Sequence, residues 1–478
     1  MSTLVMKFGG SAIGTPAALT QVLSIVIHEH QRWDHLVLVA SALDGVTDML
    51  LEAAYLAQMS NQRGYRRIAA TLRTRHIALV EALPLGQQER VGLLADIDRL
   101  LFEMLDVCQS VASSSTDTLS PQATDAIASC GERLSSRVIA GLLRQNNLLG
   151  VAIDGMDVII TDDVHGNATP NLPLTHERIQ QTLVPMLARH IIPVVTGFIG
   201  ATRQGKITTM GRGGSDYTAS ILSTSINANE LWIWSDVDGM MTADPREYED
   251  AQMIPLLSYD EVAEMAYFGA RILHARMIRP LRERSIPIRV KNVYKPQGVG
   301  TLIQPYTDDY APQMKAVTSV QAVTLSAARA GSITQVLGLV DQVFQATIGS
   351  PAEVTLSSQS SSSTLLCFII PPSIGTEIVD TLRSNLEEAL RGFSDTVSWR
   401  VRPATVISLL GSNIDRLAHL WGGIMQAISH YSLLGIAQGP SHCSLSLIVE
   451  PQDAEGIIQR VHPLVLKSAS DNAPAPRP

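Results

Sequence analysis

A glycine-rich loop at residues 208–219, with the sequence TTMGRGGSDYTA, holds the residue types best suited to chemistry in this chain. Glycine has no Cβ and tolerates unusual backbone dihedrals, so the three glycines let backbone N–H groups approach an anion closely. Residues 217–222 favour the start of a helix, whose N-terminus would face the same anion. Arg212 adds a planar guanidinium suited to a carboxylate or a phosphate. The loop therefore predicts an anion site, although three glycines alone also fit a plain turn.

Strands that end in small, polar turns recur along the first half of the chain. The apolar segments LVMKF, HLVLVA and ELWIW each run into such a turn, at residues 9–11, 41–48 and 235–239. Strand, turn and helix in this order predict an α/β fold with a mainly parallel sheet sandwiched by helices. Ligands bind beyond the carboxyl ends of the strands in such sheets, so we expect these turns and the glycine-rich loop to meet.

Hydrophobic periodicity predicts the remaining elements of this region. Residues 49–112 carry a helical pattern with little strand signal and predict a helical excursion. Further helices are predicted over residues 125–143 and 259–273. The strand at residues 286–292 is the last one predicted before the α/β region closes near residue 303.

An internal repeat of the βαββα type follows residue 313. The first copy has predicted strands at 317–325, 354–358 and 365–370, with its last helix at 376–390. The second copy has strands at 406–410, 434–438 and 444–449, with helices at 420–431 and 454–461, the latter stopped by Pro463. Neither copy holds a plausible catalytic cluster, so the repeat predicts ligand sensing or dimerisation.

Composition describes an ordinary globular protein of 478 residues with 45% hydrophobic and 17% charged residues. The net charge of −9 argues against nucleic-acid binding, because no basic field would gather phosphates. The four cysteines form no metal or CxxC spacing, and reduced thiols fit the cytoplasm. No signal peptide or membrane span is predicted.

Seven ordered motifs resemble those of the aspartate kinase family, in which a catalytic domain of the amino-acid kinase fold precedes ACT regulatory domains. The motifs are KFGGS at 7–11, SALDGVTD at 41–48, GERLSS at 131–136, the loop at 208–219, SDVDG at 235–239, TADPR at 242–246 and FGARILH at 268–274. The resemblance implies an amino-acid kinase domain at residues 1–305, two ferredoxin-like α+β ACT domains at 314–402 and 403–468, and a disordered tail at 469–478. The ACT part resembles that of the bifunctional aspartate kinase–homoserine dehydrogenases. The chain ends before a dehydrogenase domain, so we expect a monofunctional protein.

The implied reaction transfers the γ-phosphoryl group of ATP to the β-carboxylate of L-aspartate and gives 4-phospho-L-aspartate and ADP. It is the first step in the biosynthesis of lysine, threonine and methionine. A carboxylate is already a nucleophile, so the site needs cations, backbone N–H groups and Mg²⁺ rather than a strong general base. We expect the nucleotide phosphates to hold the Mg²⁺, and no protein metal site is predicted.

The resemblance also implies residue roles. Lys7 would neutralise the transferring phosphoryl group, and Arg271 would contact the nucleotide phosphates. Asp216 would orient Lys7 and a second cation, and it could cap the helix as well or instead. Arg212 would pair with a substrate carboxylate and Glu132 with the ammonium group. The complete aspartate site would comprise Ser41, Thr47, Glu132, Arg212, Gly213, Gly214 and Ser215. The nucleotide site would comprise Lys7, Gly9, Gly10, Ser11, Ser235, Asp236, Met241, Arg246 and Arg271.

The sequence departs from the family pattern at several of these positions. Arg271 replaces the usual lysine, which keeps the charge in a bulkier, forked group. Met241 replaces an aromatic residue, so any stacking or hydroxyl contact is lost. Two smaller departures are Ser11-Ala12 for the common Thr-Ser and Ala275 for a proline.

The regulatory half departs more. Gln359 and Gln438 fall where the family has its effector strands, and the resemblance implies feedback by threonine or lysine. Loss of feedback is the alternative. The family's acidic residue after the serine run is Ser363 in the first copy and His442 in the second, Pro440 interrupts the second run, and His419 stands where a glycine is usual in the loop before the helix. Paired ACT domains imply a homodimer or a dimer of dimers.

Two other functions stay open at this point. The first is an amino-acid-binding protein with weakened catalysis, in which the ACT domains do the work. Arg271 and Met241 favour it. An active kinase is favoured by the presence of Lys7, Glu132, Arg212 and Asp216. The second is a kinase for another carboxylate, such as glutamate or acetylglutamate.

Overall fold

The computed structural model describes residues 2–114, 120–270, 273, 275–305, 312–328, 333–371, 374–391 and 398–471. Its contacts divide the chain into two compact units. The first comprises Met1–Met240, Pro255–Leu257 and Leu273–Pro305, and the second comprises Met241–Ile254, Ser258–Ile272 and Tyr306–Pro478. None of the helices in the described ranges has the length and apolar content of a membrane span.

Eleven strands and eleven α-helices precede residue 305 in the described ranges. The strands are β1 (Thr3–Phe8), β2 (His35–Ala40), β3 (Gly150–Ile153), β4 (Ile160–Thr161), β5 (Ile192–Thr196), β6 (Ile199–Thr202), β7 (Ile207–Thr209), β8 (Glu230–Ser235), β9 (Leu256–Ser258), β10 (Ile288–Asn292) and β11 (Thr301–Gln304). The helices are α1 (Gly10–Ile13), α2 (Pro16–His30), α3 (Val46–Gln58), α4 (Gln62–Ala82), α5 (Gln87–Ser113), α6 (Pro121–Ala128), α7 (Cys130–Gln145), α8 (Leu172–Leu187), α9 (Gly214–Ser225), α10 (Tyr259–Tyr267) and α11 (Ala275–Glu283).

The main sheet has eight strands in the order β3-β5-β2-β1-β8-β10-β11-β9. Strands β3, β5, β2, β1, β8 and β10 run parallel, and β11 is antiparallel to β10. Strand β1 is buried along almost its whole length, which explains why its apolar run is continuous rather than alternating. The predicted mainly parallel sheet is confirmed.

The register of the central strands brings three turns to one edge of this sheet. Phe8 pairs with Ala40 of β2 on one side and with Trp234 of β8 on the other. The turns that follow β1, β2 and β8 therefore leave the sheet side by side. A smaller sheet, β4-β6-β7, presents the glycine-rich loop between β7 and α9. The predicted helical excursion is confirmed as α3, α4 and α5.

The second unit repeats one βαββα pattern twice, as predicted. The first copy is β12 (Gln313–Ala327), α12 (Ile333–Ile348), β13 (Glu353–Gln359), β14 (Thr364–Ile369) and α13 (Thr376–Arg391). The second copy is β15 (Trp399–Ser412), α14 (Ala418–Ala427), β16 (Leu433–Gln438), β17 (Ser444–Val449) and α15 (Ala454–Asp471). The strands form one antiparallel sheet in the order β13-β14-β12-β15-β17-β16.

The two long central strands contribute to both hydrophobic cores of this unit. Val323 and Leu325 of β12 pack with α12 and α13, whereas Met314 and Val317 of the same strand pack with α14 and α15. Strand β15 is divided in the same way, with Val401 in the first core and Ile407 in the second. The predicted domain boundary between residues 402 and 403 falls within β15, and it stays a prediction.

Several element boundaries differ from the prediction. Helix α10 ends at Tyr267 instead of residue 273, because Gly269 takes a φ of 105° and a Cβ there would lie 2.6 Å from the Ser319 carbonyl oxygen. Helix α15 continues through Pro463 to Asp471, because Val461 and Val465 on both sides of the proline are buried in the core. The helix predicted over 125–143 is divided at Ser129, and the short strands β4, β6, β7, β9 and β11 were not predicted.

A buried ion pair fixes α10 within the second unit. Lys315 Nζ of β12 lies 2.8 and 3.0 Å from the two carboxylate oxygens of Glu261, and the side chains are 7% and 1% exposed. The Glu261 carboxylate also accepts the Ser258 backbone N–H and completes a capping box at the start of α10. Removing the lysine would leave a buried carboxylate without its cation.

We expect Lys315→Met to lower the free energy of unfolding by about 3–5 kcal/mol, as measured by urea denaturation followed by circular dichroism. The double variant Lys315→Met/Glu261→Gln should recover part of this loss, because it removes the unpaired charge. Arg279→Met breaks the exposed Arg279–Glu283 pair and serves as the control, with an expected loss below about 1 kcal/mol. Equal losses for Lys315→Met and Arg279→Met would contradict the assignment.

Candidate active site

A cavity of about 290 Å³ opens in the first unit where the strand-end turns meet the glycine-rich loop. Nine of the predicted site residues line it: Lys7, Ser41, Thr47, Glu132, Arg212, Gly213, Gly214, Ser215 and Asp216. Ala42, Phe198 and Gly211 complete the lining. All residues of the predicted aspartate site thus line one cavity. Their roles in binding stay predictions.

Lys7 and Asp216 form an ion pair at the wall of this cavity. Lys7 Nζ at the end of β1 lies 2.6 Å from Asp216 Oδ1 in the first turn of α9, and the side chains are 12% and 11% exposed. The carboxylate therefore holds the ammonium group next to the turn at Gly9 and Gly10. A Cβ at Gly10 would lie 2.8 Å from the Ala42 carbonyl oxygen, so this turn requires glycine.

The glycine-rich loop adopts the conformation that its glycines allow. Gly211 and Gly213 have φ values of 69° and 72°, which residues with a Cβ rarely adopt. The turn directs Arg212 to the cavity, where its side chain is exposed. Arg212 makes no ion pair with any residue that the structure describes, so its guanidinium is open to an incoming carboxylate.

Glu132 is a buried carboxyl group whose Oε2 has no hydrogen-bond partner among the described residues. Burial raises the pKa of Glu132 from 4.5 to about 8. Hydrogen bonds from backbone N–H groups lower this pKa, but their effect is smaller. It lies in the first turn of α7, and Ser135 of the same helix donates a hydrogen bond to the Ser41 carbonyl oxygen at 2.6 Å. A cationic group in the cavity would stabilise the charged carboxylate.

Three predicted nucleotide-site residues meet at the carboxyl ends of β1 and β8. The hydroxyl groups of Ser11 and Ser235 both donate to Asp236 Oδ1 at 3.0 Å. Asn292 of β10 donates to the Asp236 carbonyl oxygen at 3.2 Å. The cluster lies on the turns that also carry Lys7 and Gly9.

The other predicted nucleotide residues are not part of this cluster. Met241 and Arg246 belong to the second unit, where Met241 bridges to Met253 and Arg246 pairs with Asp244 at 2.6 Å. Arg271 lies outside the described residues. The predicted effector residues Gln359 and Gln438 end β13 and β16, the two outermost strands of the antiparallel sheet. No group of three or more metal-ligating side chains occurs in the described ranges.

The prediction missed Phe198 as a cavity residue. Its φ of 68° is unusual for a residue with a Cβ, and its backbone N–H donates to Thr218 Oγ1 while its carbonyl oxygen accepts the Met210 N–H. The sequence marks a turn at residues 196–200, but nothing in it shows that this turn reaches the glycine-rich loop.

Comparison with known proteins identifies the family of this chain. The model of the amino acid kinase family matches residues 2–292. Aspartokinase 2 (chloroplastic) of Arabidopsis thaliana is 30% identical over 96% of this chain and 84% of its own length. The chain belongs to the amino acid kinase family, in its aspartokinase branch.

The chain also matches a longer, bifunctional relative and two solved aspartokinase structures. It is 27% identical to the bifunctional aspartokinase/homoserine dehydrogenase 1 (chloroplastic) of A. thaliana, with 96% of this chain but 51% of that protein covered. The chain thus spans about half the length of that relative. Escherichia coli aspartokinase III with aspartate and ADP (R-state) has a TM-score of 0.78 at 25% identity, over 97% of this chain and all of that one. Its complex with lysine and aspartate (T-state) has a TM-score of 0.73 at 25% identity, over 97% of this chain and 99% of that one. The predicted fold class is confirmed.

The pKa of Glu132 makes stability depend on pH. The unfolded chain loses this proton near pH 4.5 and the folded protein keeps it to about pH 8, so this group destabilises the fold increasingly as pH rises through that window. We expect Glu132→Gln to raise the Tm of the ligand-free protein progressively between pH 5 and pH 8, relative to the wild type. Calorimetry that shows the same Tm difference at both pH values would contradict this cause.

Proposed function

We propose that the protein is an aspartate kinase, which transfers the γ-phosphoryl group of ATP to the β-carboxylate of L-aspartate. One observation carries the proposal: a single cavity holds the buried Glu132 carboxyl, the open Arg212 guanidinium and the Lys7–Asp216 pair. L-Aspartate is complementary to this arrangement, because it has one ammonium group and two carboxylates. The aspartate and ADP bound by the similar E. coli enzyme support the same conclusion.

L-Aspartate binds the two groups that have no ionic partner in the free protein, the Glu132 carboxyl and the Arg212 guanidinium. The ammonium group of L-aspartate binds Glu132 and favours its ionised form, and the α-carboxylate binds Arg212 through paired hydrogen bonds. Ser41, Thr47 and Ser215 supply hydroxyl groups at the cavity wall, and Gly213 and Gly214 supply backbone N–H groups. Two opposite charges fix the orientation of the substrate and direct its β-carboxylate toward Lys7.

Phosphoryl transfer then needs charge stabilisation more than acid–base chemistry. An oxygen of the β-carboxylate forms a bond to Pγ while the bond from Pγ to the bridging oxygen breaks, and that electron pair leaves with ADP. Lys7 neutralises charge on the transferring group, and Asp216 keeps its ammonium in place.

The nucleotide phosphates bind near Gly9, Gly10 and the Ser11–Ser235–Asp236 cluster. Mg²⁺ supplies charge neutralisation when bound to these phosphates, and the hard oxygen donors of that cluster fit its coordination. Arg246, Met241 and Arg271 stay predicted nucleotide contacts.

The proposal also includes feedback regulation, the compartment and the use of the product. The lysine bound by the similar E. coli enzyme in its T-state supports lysine as the effector, threonine is the alternative, and Gln359 and Gln438 are the proposed contacts. The four cysteines are free and buried, which fits the reducing cytoplasm. The reaction product would feed the synthesis of lysine, threonine and methionine.

Hydroxamate formation from MgATP and L-aspartate in hydroxylamine tests the reaction, because hydroxylamine traps an acyl phosphate. We expect a signal with L-aspartate and none with glutamate. Lys7→Met should lower the rate by about 100-fold or more, since it removes charge stabilisation at the transferring group. Lys206→Met removes an exposed lysine of the first unit and should keep the wild-type rate.

The remaining outcomes of this assay distinguish the alternatives. Aspartate and nucleotide that bind without any signal would indicate a sensor, with Arg271→Lys as the next variant. A signal with glutamate or acetylglutamate would indicate a different substrate. Inhibition by lysine or by threonine would identify the effector, whereas inhibition by neither would indicate a loss of feedback.

We expect a homodimer or a dimer of dimers in solution, formed through the second unit. Its sheet ends in β13 and β16, and tandem modules of this kind associate through their edges. Light scattering at working concentration should give at least twice the 51.6 kDa mass of one chain. A monomer would exclude this mode of assembly.

A further inference from the structure

Asp125 of α6 is a buried carboxylate that the proposed reaction does not use. It is 1% exposed and does not line the cavity. Its Oδ1 accepts the Thr209 hydroxyl at 2.5 Å, both oxygens accept the Gly166 N–H at 3.0 and 3.1 Å, and His165 Nδ1 lies 2.8 Å from Oδ2. One side chain thus joins α6, β7 and the loop at residues 162–169.

The elements that Asp125 joins lead to the two charged ends of the proposed aspartate site. Thr209 is the last residue of β7, directly before the loop that carries Arg212. Helix α6 is separated by Ser129 alone from α7, which carries Glu132 in its first turn. Asp125 is therefore a direct side-chain connection between the Arg212 segment and the Glu132 segment.

The loop at residues 162–169 supports the Arg212 segment from the other side. A Cβ at Gly211 would lie 3.0 Å from the Gly166 carbonyl oxygen, so the two backbones are in close contact. Arg276 donates from Nη1 to both Asn167 Oδ1 and the Met210 carbonyl oxygen at 2.9 Å. The loop that contacts Asp125 is thus also held to Met210 and Gly211, the two residues directly before Arg212.

We propose that Asp125 is a positioning residue that sets the separation between Arg212 and Glu132 and so determines how tightly L-aspartate binds. The proposal rests on the proposed function, which places the α-carboxylate at Arg212 and the ammonium group at Glu132. To bind both charges of L-aspartate, Arg212 and Glu132 must lie at a fixed distance from each other. The hydrogen bonds to the buried Asp125 carboxylate set this distance, because their length and direction are restricted. Apolar packing between α6 and β7 would tolerate sliding that these bonds prevent.

A purely structural role makes a different prediction. A buried network that only stabilises the fold would change the Tm and the amount of active protein, but not the balance between the two substrates. A positioning role changes the KM for L-aspartate while the KM for MgATP stays constant, because the Ser11–Ser235–Asp236 cluster has no contact with Asp125.

The test compares Thr209→Val, Thr209→Ser and Asp125→Asn with the wild type in steady-state kinetics, and measures the Kd for L-aspartate by calorimetry. Thr209→Val replaces the hydroxyl group with a methyl group of similar size. We expect it to raise both the KM and the Kd for L-aspartate by about 10- to 100-fold, with the KM for MgATP within about twofold. Thr209→Ser keeps the hydroxyl group and should restore wild-type values.

Thr208→Val is the matched control. Thr208 precedes Thr209 on β7, is equally buried, and its hydroxyl group pairs with Thr161 at 2.7 Å instead of with Asp125. This variant should lower the Tm as much as Thr209→Val does and leave the Kd for L-aspartate unchanged. Asp125→Asn should raise the Kd less in the Thr209→Val background than it does alone, because the contact between Asp125 and β7 is already lost there.

The outcomes separate this proposal from the proposed function. Wild-type protein that binds L-aspartate without turnover would contradict the kinase activity, and the Kd series would still test Asp125. Active wild-type protein with the same Kd in Thr209→Val and Thr208→Val would overturn the positioning role. Parallel increases in the KM for L-aspartate and for MgATP would also overturn it.

Discussion

The parallel register of β1 with β2 and β8 is the constraint on which the site depends. Because Phe8, Ala40 and Trp234 lie side by side, the turns after these strands meet at one edge of the sheet. No single turn contains enough charge to bind a nucleotide and a dicarboxylate. Their meeting places Lys7, Ser41 and Ser235 on one surface, and the smaller sheet adds the glycine-rich loop.

One part of this surface holds paired charged groups, and another part holds groups without an ionic partner. Lys7 and Asp216 are paired in the free protein, so that part of the site is organised before any ligand binds. Glu132 and Arg212 are not paired with each other or with another described residue, and burial keeps Glu132 protonated near neutral pH. Binding of a zwitterion therefore gains from the open Arg212 cation and from a Glu132 carboxyl group that ionises when the ammonium group binds, and the buried carboxyl group costs the free protein stability as pH rises.

The sequence predicted the motifs of the site better than their connections. Lys7, Glu132 and Asp216 could be predicted because each lies in a motif that resembles one of the aspartate kinase family. Asp125 and Phe198 could not, because their roles arise from contacts with segments distant in the chain. The same limit applies to α15, where burial on both sides of Pro463 outweighs the helix-breaking tendency of proline. Strands β9 and β11 have only three and four residues, too few for a periodic pattern.

The two long strands of the second unit have a mechanical consequence. Strands β12 and β15 pair over nearly their full length, and each passes from one hydrophobic core into the other. A strand is stiff along its axis, so a shift at one end of this ribbon is transmitted to the other end. Because both hydrophobic cores are built on the same two strands, we expect the two βαββα copies to unfold as one cooperative unit, and a strain in one copy to reach the other.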